Sequence, residues 1–375
     1  MPPPTLHTLL LGYDIFWHLL DRHLARAGVR VVARLLATCT AFWCHCRPVP
    51  VHLVHTRRDV TQLVRMPAHF TVRGLVLMCH FDAANGLPLW LQRCGGTLTD
   101  LQLSGSGVTS LQGLMRCPQL RRLSIRGCWR VTSLQPIAAC ASLRSLSITG
   151  GQRSLRVHVG PACRHLHIAS RPSIGIVAAP GLRTLHVHRC YRCTHMFDEQ
   201  SRFVGLTKLC LIECRGMTGH HATLACPALV ELDLRGCVRL ASISRIVGHS
   251  PRLAILSLRG CTSMVDISAL ASCPRLLRLD LGECVSLTTV GPLAGCTRLA
   301  DLSLFGCAID EIEALGACTG LQRLDVSHCY RLRSVRPLRM CHRLRSLNLS
   351  YCHRIVDAAC MDEAPHVMLS RLRLK

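Results

Sequence analysis

The sequence predicts an α/β solenoid, in which a short helical N-terminal module precedes tandem repeats whose strands form a parallel β-sheet on the concave face. Three observations predict this fold. Blocks of the form Leu-x-x-Leu-x-Leu recur through most of the chain with a period of about 23 residues. Hydrophobic residues make up 49% of the 375 residues but aromatic residues only 4%, so any core must be aliphatic. Cysteines recur in step with the leucines.

Each block carries the periodicity of a β-strand followed by a turn. In Leu-x-Leu the two leucines point to the core and the residue between them points outward, because side chains alternate along a strand. One such unit cannot bury its own leucines, so neighbouring repeats must stack. The short period leaves little room for a long helix, which predicts 3₁₀ or irregular turns on the return path. The blocks begin at Leu98, Leu120, Leu143, Cys163, Leu182, Leu206, Leu229, Leu253, Leu276, Leu299, Leu321, Leu344 and Leu369.

The clearest blocks read LVELDLRGCVRLASI, LAILSLRGCTSMVDISAL and LLRLDLGECVSLTTVGPL. Each has a cysteine directly after the strand. These motifs resemble the leucine-rich repeat family in its cysteine-containing form, and the resemblance covers residues 98–375. It implies a horseshoe-shaped leucine-rich-repeat solenoid of about 13 strands.

The 25 cysteines are expected to be reduced, structural thiols. Most hold one of two consensus positions, directly after the strand or shortly before the next block, where they act as small buried hydrophobes. Thiols of successive repeats point in parallel, which is poor geometry for a disulfide. Reduced thiols, and an apolar opening without a signal peptide's basic start, predict a cytoplasmic or nuclear protein. No apolar run is long enough to predict a membrane span.

The outward strand residues are the candidate partner-binding surface. They are polar and carry both signs of charge, which fits recognition of a folded protein or peptide. The alternative is an ordinary solvated face. We expect a protein partner on the concave face, at Arg126, His167, His186, Asp233, Arg235, Arg259, Asp280, Phe305, Asp325 and Asn348.

The formal net charge of +24 comes almost entirely from arginine. Such an excess favours anionic partners. A groove that tracks phosphates should be uniformly basic, however, and acidic residues interrupt the predicted face. Nucleic acid is therefore not the expected partner, although a basic RNA- or phosphate-binding adaptor stays an alternative. The segment from Arg331 to Arg354 holds seven arginines and no acidic residue, which indicates either an anionic contact or a solvated edge.

The sequence does not predict an enzyme or a cofactor. It contains no nucleotide-binding glycine loop, no nucleophile elbow and no His-Glu-x-x-His motif. Cys190 and Cys193 form a single Cys-x-x-Cys pair, whereas a structural zinc site needs four ligands. The repeat register makes both thiols core residues, so no metal site is predicted there.

Histidines cluster on neighbouring predicted strands, at His165, His167, His186 and His188. The repeat alignment places His167, His186 and Cys210 in one column across the sheet. Imidazoles and a thiol so placed could bind a zinc or copper ion or form a pH-sensitive partner patch. The alternative is a chance grouping on an exposed face.

The N-terminal residues do not follow the repeat. Their apolar residues form helical stripes, and a Cys-x-x-Phe-Trp sequence closes the segment. Such helices ahead of leucine-rich repeats resemble an F-box, although Leu-Gly-Tyr-Asp replaces its usual Leu-Pro opening. A helical cap over the first repeat is the alternative. The resemblance implies that a ubiquitin-ligase adaptor binds at Ile15, Phe16, Leu19, Phe42 and Trp43.

The chain is therefore expected to have three parts. Residues 1–50 form the F-box-like or capping module, and residues 98–375 form the repeats. Residues 51–97 are a transition, with first strands near Val51–Leu53 and Val72–Leu77. The expected function is a protein–protein interaction scaffold, in its most specific form an F-box-like substrate receptor of a ubiquitin ligase. The alternative is a stand-alone regulatory leucine-rich-repeat adaptor without a ligase link.

Overall fold

The computed structural model divides into two compact units, Met1–Cys163 and Arg164–Lys375, which are described separately. The predicted module of residues 1–50, with its five adaptor-binding candidates, lies outside the described residues apart from Pro50. No helix within the described part of the chain is long and apolar enough to cross a membrane. The structure describes residues 50–56, 71–78, 91, 95–105, 108–151, 155–176, 180–192, 196–197, 203–218, 224–361 and 368–370.

The first unit is built on a parallel sheet whose strands pair in chain order, β1 to β5. Leu75, Leu101 and Leu123 lie directly opposite one another in this register. The two first strands expected before residue 98 are both present. 3₁₀ helices at Gln112–Arg116 and Gln135–Ala139 form the return path. The strands are β1 Pro50–Thr56, β2 Thr71–Met78, β3 Asp100–Ser104, β4 Arg122–Arg126, β5 Ser145–Thr149 and the short β6 Leu155–Val157.

The second unit carries a longer parallel ladder, in which all strands except β8 pair in chain order. Its strands are β7 His165–Ala169, β8 Ile174–Ile176, β9 Thr184–His188, β10 Lys208–Ile212, β11 Glu231–Asp233, β12 Ile255–Ser257, β13 Arg278–Asp280, β14 Asp301–Ser303, β15 Arg323–Asp325, β16 Ser346–Asn348 and β17 Met368–Ser370. The return path consists of one α-helical turn, α1 Ser244–Val247, and 3₁₀ helices at Ser268–Ser272, Gly291–Gly295, Glu313–Ala317, Arg336–Met340 and Ala358–Met361. The predicted short turns are confirmed.

The last repeat corrects the predicted alignment. The sequence places a block start at Leu369, but the ladder pairs Leu369 with Leu347, the fourth residue of the preceding block. The final block therefore begins three residues earlier, at residue 366. The predicted alignment was wrong because Leu369, Leu372 and Leu374 form a full Leu-x-x-Leu-x-Leu motif, whereas the frame of the ladder has a leucine at only one of the three motif positions, Leu369. The stack instead selects the register that continues the leucine column.

The core is a stack of leucines, as the sequence predicts. Leu253, Leu256 and Leu258 of one repeat are at most 1% exposed, and the equivalent leucines of the neighbouring repeats are equally buried. Burying a leucine side chain stabilises a fold by about 1.5–3 kcal/mol. Because every leucine is covered by the repeat on either side, this stabilisation depends on stacking in register.

Two ladders of cysteine thiols run beside the leucines and donate hydrogen bonds to backbone carbonyls of the preceding repeat. The Sγ of Cys307 lies 3.1 Å from the carbonyl oxygen of Leu281, and the Sγ of Cys318 lies 3.3 Å from that of Leu293. The cysteine position thus supplies a donor to a buried oxygen as well as a small hydrophobe. Both ladders belong to the second unit, the first with Cys237, Cys261, Cys284, Cys307, Cys329 and Cys352, and the second with Cys296, Cys318 and Cys341. In the first unit, Cys140 donates the same bond to the carbonyl oxygen of Leu114.

The ladders predict a fold that loses stability in alkali. Burial raises the pKa of both Cys284 and Cys307 to about 12. An unfolded chain loses these protons near pH 9, so the folded state binds more protons above that pH and its stability falls as pH rises. The loss is about 1.4 kcal/mol per pH unit for each such thiol. Urea unfolding followed by circular dichroism should show a constant free energy of unfolding up to about pH 8 and a steep decline above pH 9.

Serine provides a matched control, because its hydroxyl donates the same hydrogen bond without titrating. The Cys284→Ser/Cys307→Ser variant should show a shallower alkaline decline than the wild type. Only two lysines and four tyrosines titrate in the same range, so they contribute little to the slope. A free energy of unfolding that is flat up to about pH 10.5 would contradict the account.

Candidate partner-binding face

The outward strand residues of the second unit form a polar surface, here called the outer sheet face. In strands β11 to β16 the middle residue is buried, while the first and third residues are partly or fully exposed. Neighbouring strands repeat at about 4.8 Å, so residues at equivalent positions form columns across the sheet. The first-residue column and the third-residue column are described in turn.

The first-residue column contains two groups of oppositely charged residues, separated by Ile255 of β12. The Lys208 ammonium lies 2.6 Å from a Glu231 carboxylate oxygen on the next strand. Asp301 accepts from two sides, with the Nε of Arg278 at 3.1 Å and an Nη of Arg323 at 2.6 Å. Exposed pairs of this kind contribute little to stability, but they give this column both signs of charge, which a phosphate-binding track would not have.

The predicted site residues Asp233, Asp280, Asp325 and Asn348 all lie in the third-residue column and share a structural role. In each, a side-chain oxygen accepts a hydrogen bond from the backbone N–H two residues later. The distances are 3.1 Å to Arg235, 3.0 Å to Gly282, 2.9 Å to Ser327 and 3.1 Å to Ser350. These side chains therefore close the turn that ends each strand, and part of their hydrogen-bonding capacity is used within the fold.

Three further candidates lie just beyond the strands. The Arg235 guanidinium is held 2.7 Å from the Asp233 carboxylate two residues before it. Arg259 pairs with Glu283 at 2.7 Å, and its guanidinium carbon lies 5.5 Å from the centre of the Phe305 ring. Arg259 and Phe305 are thus brought together from repeats that are far apart in sequence.

Arg126 is the one candidate residue that belongs to the first unit. It ends strand β4 of the first unit, where its Nε lies 3.4 Å from the Ser124 hydroxyl. The other nine candidates belong to the second unit. The structure therefore describes nine of the ten predicted residues as parts of one compact unit.

The histidine cluster forms as the repeat alignment predicts. His167 pairs with His186, and His186 with Cys210, across strands β7, β9 and β10. The ring centres of His167, His186 and His188 lie 5.5–6.4 Å apart. Within the described residues, no group of three His, Cys, Asp or Glu side chains is arranged to hold a metal ion.

Two imidazoles and one thiol of this cluster have shifted pKa values. Burial lowers the pKa of His186, and the nearby Lys208 adds to the effect. Burial likewise lowers the pKa of His188. Burial raises the pKa of the Cys210 thiol to about 11. His186 and His188 are therefore mainly neutral at pH 7, and Cys210 is a buried thiol and a poor nucleophile.

Sequence reasoning missed the backbone conformation of the turns, although the glycine that recurs after several strands was a signal for it. The residue that follows each strand's turn adopts a left-handed backbone, and it is glycine at Gly236, Gly260 and Gly306. His328 and Tyr351 adopt the same conformation, with φ of 59° and 62°. Glycine is the usual residue at such a φ, but four other non-glycine residues of the described chain share it, namely Ser170, Arg189, Glu213 and Glu283.

Comparisons with known proteins bear on the fold. No protein-family model matches the chain, and no curated protein matches it. Among solved structures, the Drosophila Toll–Spätzle complex has a TM-score of 0.56 at 14% identity, covering 79% of this chain and 46% of that one. The mouse RP105/MD-1 complex has a TM-score of 0.54 at 17% identity, covering 87% and 51%. The chain thus spans about half of each of these two proteins.

A third similar structure is the LRR protein LIC12759 from Leptospira interrogans, with a TM-score of 0.46 at 13% identity, covering 89% of this chain and 98% of that one. At such low identity these likenesses concern the fold alone. The likenesses to the Toll and RP105 structures, together with the parallel ladders and buried leucine columns, show that this chain folds as a leucine-rich-repeat solenoid.

The turn-closing role of Asp280 is testable by substitution. Asp280→Ala removes the acceptor for the Gly282 N–H and should cost about 1 kcal/mol of unfolding free energy. Asp280→Asn keeps an acceptor and should stay close to wild type. Ser303→Ala changes the equivalent residue of the next strand and should cost less than about 0.5 kcal/mol. Equal losses for the asparagine and alanine variants in urea unfolding would show that the hydrogen bond is not what Asp280 contributes.

Proposed function

We propose that this protein is a non-enzymatic protein-recognition scaffold that binds a protein partner on the outer sheet face of its second unit. The observation that carries the proposal is the charge pattern of that face. In the first-residue column, Lys208 pairs with Glu231 on adjacent strands, and after the uncharged Ile255 the charges of Arg278, Asp301 and Arg323 alternate across β13 to β15. Complementary charges of both signs fix the register of a protein partner.

The fold supports the same proposal. Each repeat adds one strand to the face without changing the core, so a long surface is presented on a rigid support. The similar structures of RP105 and Toll are both complexes, with MD-1 and Spätzle respectively. The alternative of an RNA- or phosphate-binding adaptor is disfavoured by Glu231 and Asp301, which interrupt the positive charge.

A more specific form of the proposal is an F-box-like substrate receptor. It rests on the sequence of residues 1–50 alone, in which Ile15, Phe16 and Leu19 would contact a ubiquitin-ligase adaptor together with Phe42 and Trp43. In the rival form, a stand-alone regulatory adaptor, the same residues cap the first repeat. Co-purification of a ligase adaptor with the full-length chain distinguishes the two forms.

The thiols support a reducing location for either form. The cysteines that the structure describes are reduced, and most are buried. We propose that the protein works in the cytoplasm or the nucleus, where such thiols stay reduced.

The outer sheet face is tested by blocking its centre. The Ser257→Arg/Ser303→Arg variant adds two long side chains at outward, partly buried positions of β12 and β14. Quantitative mass spectrometry of proteins captured by the full-length chain from its native source should show partners that are lost at least tenfold with this variant. Ser272→Arg, on an exposed return turn, is the matched control and should retain them. Partners that bind equally to both variants would place recognition elsewhere.

A further inference from the structure

Five ring side chains cluster at the carboxyl ends of strands β14, β15 and β16. His328 lies at the centre, with its ring centre 5.1 Å from that of Phe305, 5.8 Å from that of Tyr330 and 4.3 Å from that of Tyr351. His353 completes the group, 6.3 Å from Tyr351 and 6.5 Å from Tyr330. The Nδ1 of His328 is hydrogen-bonded to the Tyr330 hydroxyl at 2.7 Å. We call these five residues the aromatic rim.

The aromatic rim is exposed in a chain that has few aromatic residues. Tyr330 is 56% exposed and Tyr351 is 42% exposed, although only 4% of the residues are aromatic. His328 and Tyr351 also have a left-handed backbone, at a position that is glycine in some repeats and a residue such as Glu213 or Glu283 in others. Folding alone does not favour the exposure of two tyrosines, which is typical of a binding surface.

The surroundings of the aromatic rim are positively charged. Between Asp325 and Asp357 the chain has seven arginines and no acidic residue. The two flanking carboxylates are occupied within the fold. Asp325 accepts from the Ser327 N–H at 2.9 Å, and Asp357 accepts from the Ser334 hydroxyl at 2.6 Å.

Two of these arginines are next to rim residues in the sequence. Arg331 follows Tyr330, and Arg354 follows His353, and both side chains are exposed. At the opposite end of the rim, the Arg259 guanidinium lies against the Phe305 ring and is already paired with Glu283. The positive charge available to a ligand is therefore at the Arg331 and Arg354 end.

We propose that the aromatic rim binds an acidic segment of the protein partner, with its carboxylates on Arg331 and Arg354 and its apolar groups on Tyr330 and Tyr351. This inference rests on the proposed function and names the chemistry of the partner. Guanidinium groups pair with carboxylates in two-point geometry, and exposed tyrosines bury large areas at little entropic cost.

A single-stranded nucleic acid would also pair with the positive charge of the arginines, but the arrangement of the rings is less suitable for its bases. Bases stack on free aromatic faces. The faces of His328 and Tyr351 are stacked on each other instead, with an interplanar angle of 27°. This stacking leaves fewer ring faces for bases, while the exposed Tyr330 and Tyr351 can still contact a polypeptide, so the observations favour a protein segment.

Fluorescence anisotropy with the full-length protein tests the inference. The probe is a labelled peptide of alternating glutamate and proline, and a peptide with glutamine in place of glutamate is its uncharged match. The glutamate peptide should bind, and the glutamine peptide should bind at least tenfold more weakly. Tyr330→Ala/Tyr351→Ala and Arg331→Glu/Arg354→Glu should each weaken binding about tenfold or more.

Matched controls separate the rim from generic effects. Trp129 and Tyr191 are exposed aromatic residues that also directly follow a repeat cysteine, so Trp129→Ala/Tyr191→Ala should bind like wild type. Arg298→Glu reverses an exposed charge outside the rim and should also leave binding unchanged. Unchanged thermal unfolding of each variant shows that the fold is intact.

Three results would overturn the inference. These are equal affinity for the two peptides, equal weakening by control and rim variants, and tighter rim-dependent binding of a labelled oligothymidylate, which would make nucleic acid the ligand. The test of the proposed function is independent of the test of the aromatic rim. If Ser257→Arg/Ser303→Arg abolishes partner capture while the rim variants change neither capture nor peptide binding, the outer sheet face stands and the rim does not.

Discussion

Each repeat leaves its leucines uncovered until another repeat pairs beside it. This constraint sets the register of every strand in both units, because a shift by one residue would turn the leucines to solvent and the polar residues to the core. The register then determines the rest of the repeat. It places the cysteine after the strand against a carbonyl of the preceding repeat, and it sets the short return turns that close each unit. The interior is therefore nearly uniform from repeat to repeat.

A uniform interior leaves the outward positions free to vary. In the third-residue column, the aspartates and the asparagine have a structural role, because they close the turns. The first-residue column and the aromatic rim are less constrained, and they carry the alternating charges and exposed rings on which the functional proposals rest. Recognition by this chain thus depends on residues that the repeat pattern does not specify.

Features that depend on periodicity alone were predictable from the sequence. The leucine columns, the short return turns and the column of His167, His186 and Cys210 were all predicted, because each requires only counting residues between repeats. The alignment failed at Leu369, because the full motif of Leu369, Leu372 and Leu374 lies three residues away from the frame in which Leu369 pairs with Leu347. The turn-closing role of Asp280 and the contact between His328 and Tyr351 were missed, because they depend on turn geometry and on side-chain directions across repeats.

The central claim, that the repeats stack in register around buried thiol ladders, is tested most directly by thiol accessibility. Native and denatured protein are alkylated under non-reducing conditions and compared by peptide mass spectrometry. In denaturant all 25 cysteines should react. In the native protein Cys237, Cys261, Cys284, Cys307 and Cys329 should be protected, since each is at most 2% exposed. Rapid native labelling of these five thiols, or their recovery as disulfides, would contradict the account.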